Sequence, residues 1–321
     1  MTLWQSCLLS LATITWSFMS QTSAQQTIAR VLIYSATRDF RHDSIPTAIE
    51  ALKAQGPAFN IQFDNTEDQT WFTDDRLKQY DALLFLSNTG EVLDDSGKTA
   101  FQNYLDLGGN FIGIHSASDC LRNTTFFQKE LGAAFDYHPA LQNATVDVIG
   151  PSHPSTSMLP TEWHVQDEMY NFKSDPRSIG AVVIPDLGRL IKERLIPQAS
   201  WFQVHGAGVQ SNGTAGRSFY TSLGHLNETW QDELFMAHVM GGIQWALQSN
   251  TTAALNPNAT SSVSGTLVPS ASGSSSGVAS SQSSGSSPQQ SGTKGSWISP
   301  TYVFSYGALV LSSALFWTLL L

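Results

Sequence analysis

Between Thr27 and Leu247 the chain alternates short apolar runs with amphipathic stretches. "ARVLIYSA", starting at Ala29, is almost continuously apolar, the pattern of a strand covered on both faces in a parallel sheet. "SIPTAIEALKAQG" then predicts a helix, with Ser44 as N-cap, Pro46 in its first turn and Gly56 at its close. "FNIQFD" alternates as a second strand, and "TDDRLKQY" opens a short helix whose first-turn acids suit the helix dipole. "DALLFLSN" predicts a third strand, "DDSGKTAFQNYLDLGG" a helix with a glycine stop, and "NFIGI" a fourth strand. After Gly132 strands dominate, in "ATVDVIG", "IGAVVIP", "ASWFQVH" and "RSFYTSLG". "WQDELFMAHVMGGIQWAL" closes the pattern as a long helix. Such alternation predicts right-handed crossovers and a parallel sheet with helices on both faces, in one α/β domain over residues 27–250.

The pattern fails at both ends. Residues 1–24 carry an apolar stretch from Cys7 to Met19 and finish in "TSA", as a secretory signal peptide does. Residues 251–296 collapse into Ser, Gly, Thr, Pro and Gln, too polar to offset the entropy of folding, and read as a disordered stalk. Residues 297–321 are apolar to the last residue and no Lys or Arg follows Lys294. Small residues, a polar spacer and an apolar tail fit a GPI-attachment signal, with a membrane-spanning tail as the alternative. Six Asn-x-Ser/Thr sequons, at Asn123, Asn143, Asn212, Asn227, Asn250 and Asn258, agree with a secreted, cell-surface glycoprotein anchored to a membrane at its C-terminus.

Composition narrows the chemistry further. The net charge of −10 argues against a nucleic-acid partner. With Cys7 in the signal, Cys120 has no intramolecular partner, so the domain must stand on its apolar core without a disulfide.

Ligands of open parallel sheets bind beyond the carboxyl ends of the strands. The first strand runs into Arg38, Asp39, Arg41 and His42, the third into Asn88, Thr89 and Gly90, and the fourth into His115, Ser116 and Asp119. "SWFQVHGAG" reaches His205 and "SFYTSLGH" reaches His225. His42 also reads as a helix-capping residue, and His205 and His225 as turn residues beside glycine. His238 sits inside the last helix and reads as packing, while His138 and His153 each precede a proline that explains their extended backbone. Asp167 and Glu168 lie between Trp163 and Tyr170, which reads as a solvated turn or a ligand-binding loop.

"VLIYSATRDFRHDSI", "GGNFIGIHSASD", "YHPA", "HPST", "DEMYNF", "SWFQVHGAG", "GRSFYTSLGH" and "GGIQWAL" follow one another in this order. Together they resemble the ThuA-like domain family, named for a bacterial trehalose-utilisation protein, over residues 29–247. The resemblance implies a flavodoxin-like fold similar to that of class I glutamine amidotransferases, with a sharp turn after one strand, and a link to carbohydrate metabolism. The chain departs from the family in carrying Asp39 where glycine is usual. It departs from the amidotransferases in placing His115 where they carry a nucleophilic cysteine, so thiolate attack on glutamine is not available.

Three functions remain open. In a carbohydrate-active enzyme, His115 is the central base, His42, Asp119 and Glu168 assist it, Trp201 stacks on a sugar ring and Arg217 holds a polar group, with Arg41, Asn88, His205 and His225 completing the ligand site. In a metal-dependent hydrolase, His42, His115, His205 and His225 with an acid hold a divalent ion such as zinc, assembled from distant loops without a close-spaced motif. In a non-catalytic surface module, the same groups bind carbohydrate or another small molecule.

Overall fold

The computed structural model describes residues 28–186 and 198–254, all within the first of two compact units, Met1–Thr266. The expected signal peptide, most of the stalk, the C-terminal tail and the Asn258 sequon lie outside the described residues. No helix among the described residues is long and apolar enough to cross a membrane.

Nine of the strands among the described residues frame the site: β1 (Ala29–Tyr34), β2 (Ile61–Thr66), β3 (Ala82–Leu86), β4 (Asn110–Ile114), β5 (Gln142–Val148), β6 (Glu162–Asp167), β7 (Val182–Val183), β8 (Ser200–Gln203) and β9 (Ser218–Thr221). Seven form the central sheet in the order β7-β8-β9-β4-β3-β1-β2. The stretch β2-β1-β3-β4-β9 is parallel throughout, which is the strand order of flavodoxin-like folds. At the β9 edge, β8 and β7 continue the sheet antiparallel. The parallel part of the sheet therefore ends at β9. The strand "ATVDVIG" and the segment read as a loop at "WHVQD" pair instead as β5 and β6, in a separate antiparallel sheet.

The period-two alternation of the central strands divides two cores. Val31, Ile33, Leu84, Ile112 and Ile114 face α1 (Ile45–Gln55) and α4 (Glu233–Leu247), whose Leu52, Val239 and Ile243 pack in the same cluster. Leu32, Leu83, Phe85 and Phe111 face the other way, toward Phe101 of α2 (Asp95–Asp106) and Phe127 of α3 (Thr125–Leu131). Phe85 stacks on Phe101 at 5.1 Å. Deleting a phenyl ring from such a layer costs about 3–5 kcal/mol.

Helix starts follow the side-chain chemistry in two cases and not in a third. Asp94 accepts from the Gly97 amide and Asp232 from the Phe235 amide, both at 2.8 Å, so each caps its helix. Ser44 makes no cap: its hydroxyl donates to the Gly224 carbonyl at 3.1 Å and ties α1 to the loop after β9. The folded domain also runs past its expected end at residue 250. Thr252 Oγ1 accepts from Asn110 Nδ2 at 2.9 Å, and the Ala254 amide donates to Asp81 at 3.1 Å.

Candidate functional site

The order β2-β1-β3-β4 reverses direction between β1 and β3, which opens a crevice at their carboxyl ends. Loops cross-link there. The Arg38 amide donates to the Thr89 carbonyl at 2.8 Å, Thr89 Oγ1 donates to the Phe40 carbonyl at 2.7 Å, and Asn88 Nδ2 donates to the Ala36 carbonyl at 3.0 Å. These bonds fix the loop that carries His42 and leave the Phe40 ring 64% exposed.

β4 ends in an elbow. His115, the first residue beyond it, has φ 55° and opens a tight turn over His115–Ser118. A non-glycine residue in this left-handed region costs about 1–3 kcal/mol, so the surroundings must hold it. They do: the Tyr220 hydroxyl donates to the His115 carbonyl at 2.8 Å, and the buried ring lies 2.7 Å from the Ser222 carbonyl through Nδ1. A carbonyl oxygen only accepts, so Nδ1 carries the proton and Nε2 presents a lone pair.

Around that lone pair lie His42 Nε2 at 3.0 Å, the Tyr170 hydroxyl at 3.1 Å and Glu168 Oε2 at 3.7 Å. Glu168 Oε2 is also 3.2 Å from His225 Nδ1 and 3.6 Å from His138 Nε2. The His225 nitrogen lies at ion-pair distance yet is buried without an aligned hydrogen bond. Ser116 Oγ is 3.3 Å from His42 Nδ1. Asp167 shapes the rim from beneath, accepting from the Gly224 amide at 2.8 Å and the Glu168 amide at 2.8 Å.

Burial decides much of the electrostatics. It pushes His42 down to about 4, with the His225 charge adding to the effect, and holds His115 well below the ordinary imidazole range. Burial also pushes Asp167 up to about 6, against the amides that donate to it. Glu168 behaves differently. Burial raises it, but His225, His138 and His42 outweigh that and hold the carboxyl below its ordinary value. His225 is raised in turn, chiefly by Glu168.

His42, His115, Glu168 and His225 each offer a donor atom, all within 4.8 Å of one another. The remaining candidates do not join them. Asp119 is taken by Arg122, at 2.8 and 2.6 Å, and Arg122 also reaches Asp39 at 3.3 Å. Arg41 pairs with Glu67 at 2.7 Å. Asn88 is buried in the loop cross-link. Trp201 is 1% exposed and offers no face to a sugar: its indole donates to the Leu131 carbonyl at 2.7 Å. Gly132 makes room for that bond, since a Cβ there would sit 2.2 Å from the indole nitrogen. Arg217 precedes β9, at the opposite edge of the sheet from the elbow, where it donates to the Trp245 carbonyl at 2.7 Å. His205 follows β8, whose antiparallel direction carries its loop to that same far edge. Among the described residues, His205 and Arg217 therefore lie away from His115, and Trp201 is buried. A cavity of about 410 Å³ lies at the far edge instead, lined by Tyr80, Asp81, Tyr104 and Thr251 among others.

Sequence reasoning missed Tyr170, His138, Ser222 and Phe40 as neighbours of the cluster. "YHPA" and "DEMYNF" contained the first two, but nothing local showed that both loops fold over the elbow. Cys120 is fully buried with its thiol raised well above the ordinary range, so it does not replace the missing elbow nucleophile.

Fold and site together define a flavodoxin-like α/β domain with a histidine-rich elbow at its switch point. The ThuA family model, described as trehalose utilisation, matches residues 30–246, and the chain belongs to that family. Among solved structures, a ThuA-like protein from Bacteroides uniformis superposes with a TM-score of 0.55 at 21% identity, covering 73% of this chain and 96% of its own. A second ThuA-like protein, from Parabacteroides merdae, gives 0.51 at 15% identity, covering 69% and 91%. At these identities the likeness is one of fold. No curated protein matches the chain.

Proposed function

We propose that this chain binds a carbohydrate at the His42, His115, Glu168 and His225 cluster and acts on one of its hydroxyl groups. The convergence of these four side chains, from the loops after β1, β4, β6 and β9, carries the reading. Hydroxyl-rich ligands need several acceptors at one point. The Nε2 lone pair of His115 and the Glu168 carboxylate supply them, and a hydroxyl held between the two is placed to lose its proton. Phe40 takes the role expected of Trp201: its exposed ring lies 4.8 Å from that of His42, where a sugar ring can stack. The trehalose-utilisation description of the family agrees with this substrate class.

The protein acts outside the cell, attached to the membrane by its C-terminal segment. Its terminal segments support this, as do exposed sequons at Asn123, Asn143, Asn212 and Asn250. Phospholipase treatment of intact cells should release it, and retention after verified lipase action would favour a spanning tail.

Calorimetric titration with trehalose and a panel of glycosides, followed by product analysis, tests the sugar reading. A response lost in Glu168→Gln and weakened in Phe40→Ala supports it. Absence of any response from folded protein removes it, and binding without turnover leaves a recognition module.

A further inference from the structure

We infer that the same cluster is a binding site for one divalent transition-metal ion, held by His42, His115, His225 and Glu168. The inference deepens the carbohydrate reading and rests on it only for the location of the substrate.

Three geometric observations point to a cation. The first is the spacing. A tetrahedral ion with bonds of about 2.0–2.1 Å to nitrogen and oxygen sets its donors roughly 3.3–3.4 Å apart. The separations found are 3.0 Å between His42 and His115, 3.2 Å between His225 and Glu168, and 3.7 Å between His115 and Glu168. All four donors lie within 4.8 Å of one another, so the three near pairs need shifts of a few tenths of an ångström and the widest pair must close by about an ångström or more to share one centre.

The second is the orientation of the imidazoles. His115 donates Nδ1–H to the Ser222 carbonyl, the outer contact that commonly fixes a metal-bound histidine and turns its other nitrogen toward the ion. His42 has the Ser116 hydroxyl at its Nδ1 and likewise turns Nε2 inward. Two imidazole nitrogens that face each other inside a protein are poor company unless a proton or a cation lies between them.

The third is the unmet demand. His225 Nδ1 is buried without an aligned hydrogen bond, with the Glu168 carboxylate oxygen 3.2 Å away. A cation at the centre would satisfy it.

Three nitrogens and one carboxylate oxygen suit zinc, iron(II), nickel or copper, whereas magnesium and calcium prefer oxygen alone. His42 and His115 are 4% and 0% exposed, while the Glu168 and His225 side chains are 13% and 21% exposed, so the open side of the site is theirs. Once an ion holds the Nε2 lone pair of His115, a sugar hydroxyl or water reaches the ion from that side, and the ion takes over the polarising role. Tyr170, 3.1 Å from Nε2, stands beside that approach.

The test uses the full chain, purified, stripped with chelator and checked for fold by circular dichroism. Titration with zinc chloride should give one equivalent per chain, undiminished by millimolar magnesium or calcium, and cobalt(II) should produce the visible bands of an ion bound by nitrogen. His225→Ala and Glu168→Ala, at the more open side, should keep the fold and lose affinity by on the order of 100-fold or more, since even outer contacts of such sites are worth 10–100-fold. No zinc uptake by folded wild-type protein overturns the inference. So does uptake that survives in a His42→Ala/His225→Ala protein that remains folded. The sugar panel, run with and without zinc, separates the two readings. An equal sugar response in stripped protein retains the carbohydrate site and overturns the metal's part in it. One equivalent of zinc, lost in the variants, supports the metal site even where no sugar responds.

Discussion

Nδ1 of His115 lies 2.7 Å from the carbonyl oxygen of Ser222, joining the elbow after β4 to the residue that follows β9. His115 is therefore structural as well as part of the proposed site. His115→Ala should lose the sugar or zinc response and also destabilise the domain by about 1–3 kcal/mol, because the Ser222 carbonyl is left unpaired. His115→Asn should remain more stable than His115→Ala, since asparagine tolerates the left-handed backbone. Urea unfolding of both variants, beside binding, checks this. Intact stability in the alanine variant would contradict it.

A second expectation concerns acid. Burial pushes His153 and His238 down to about 4 from an ordinary 6.5. In the unfolded chain they take up protons near 6.5, and in the folded domain only near 4. Their stabilising effect is complete above the unfolded value and is lost as pH falls from about 6.5 to 4. Urea midpoints should drop across that window, and His153→Gln/His238→Gln should flatten the slope even though it lowers the midpoint. An unchanged slope would count against the assignment.

Glu130 should act in the opposite sense. It is fully buried, accepts one amide from Gly208 at 3.0 Å, and has its other oxygen unpartnered. Burial pushes it up to about 7 from 4.5. The folded state keeps the proton that the unfolded chain releases, so stability declines as pH rises from about 4.5 to 7 and then levels. Glu130→Gln should remove this decline, measured as the change in melting temperature between pH 5 and pH 8 relative to wild type. The same decline in the variant would refute the point.

Two aromatic substitutions should separate packing from recognition. Trp201→Phe loses the bond to the Leu131 carbonyl and should cost about 1–3 kcal/mol with ligand response unchanged. Phe40→Ala should leave the melting temperature nearly unchanged, because the ring is mostly exposed, while weakening sugar binding. A reversal of the two phenotypes would restore the sequence-based assignment of Trp201.

The elbow was legible in the sequence because the apolar run "FIGI" is long enough only for a buried strand, and a polar ring at His115 followed by small residues ends it at once. His42, Glu168 and His225 were readable as candidates on similar grounds: each lies just past an apolar or alternating run. His205, Arg217 and Trp201 were misplaced, each for its own reason. A four-residue strand such as β8 has the same pattern whether it runs parallel or antiparallel, and its reversal sends His205 to the far edge. Arg217 stands before its strand, so the rule for carboxyl ends does not reach it. Trp201 shows a different limit, since burial of a ring depends on Gly132 and Leu131, some seventy positions away.

The left-handed backbone at His115 has a neighbour. Ser87, just beyond the adjacent strand β3, has φ 50°, and its amide donates to the Ile114 carbonyl at 3.1 Å. Two strained residues thus stand side by side, each braced by the sheet. The conformational work of assembling the elbow is completed when the sheet forms, before any ligand arrives. A guest at the proposed site would meet a backbone already braced and spend little of its binding energy on ordering it, so association should be governed by entry past Glu168 and His225 instead of by rearrangement of the elbow.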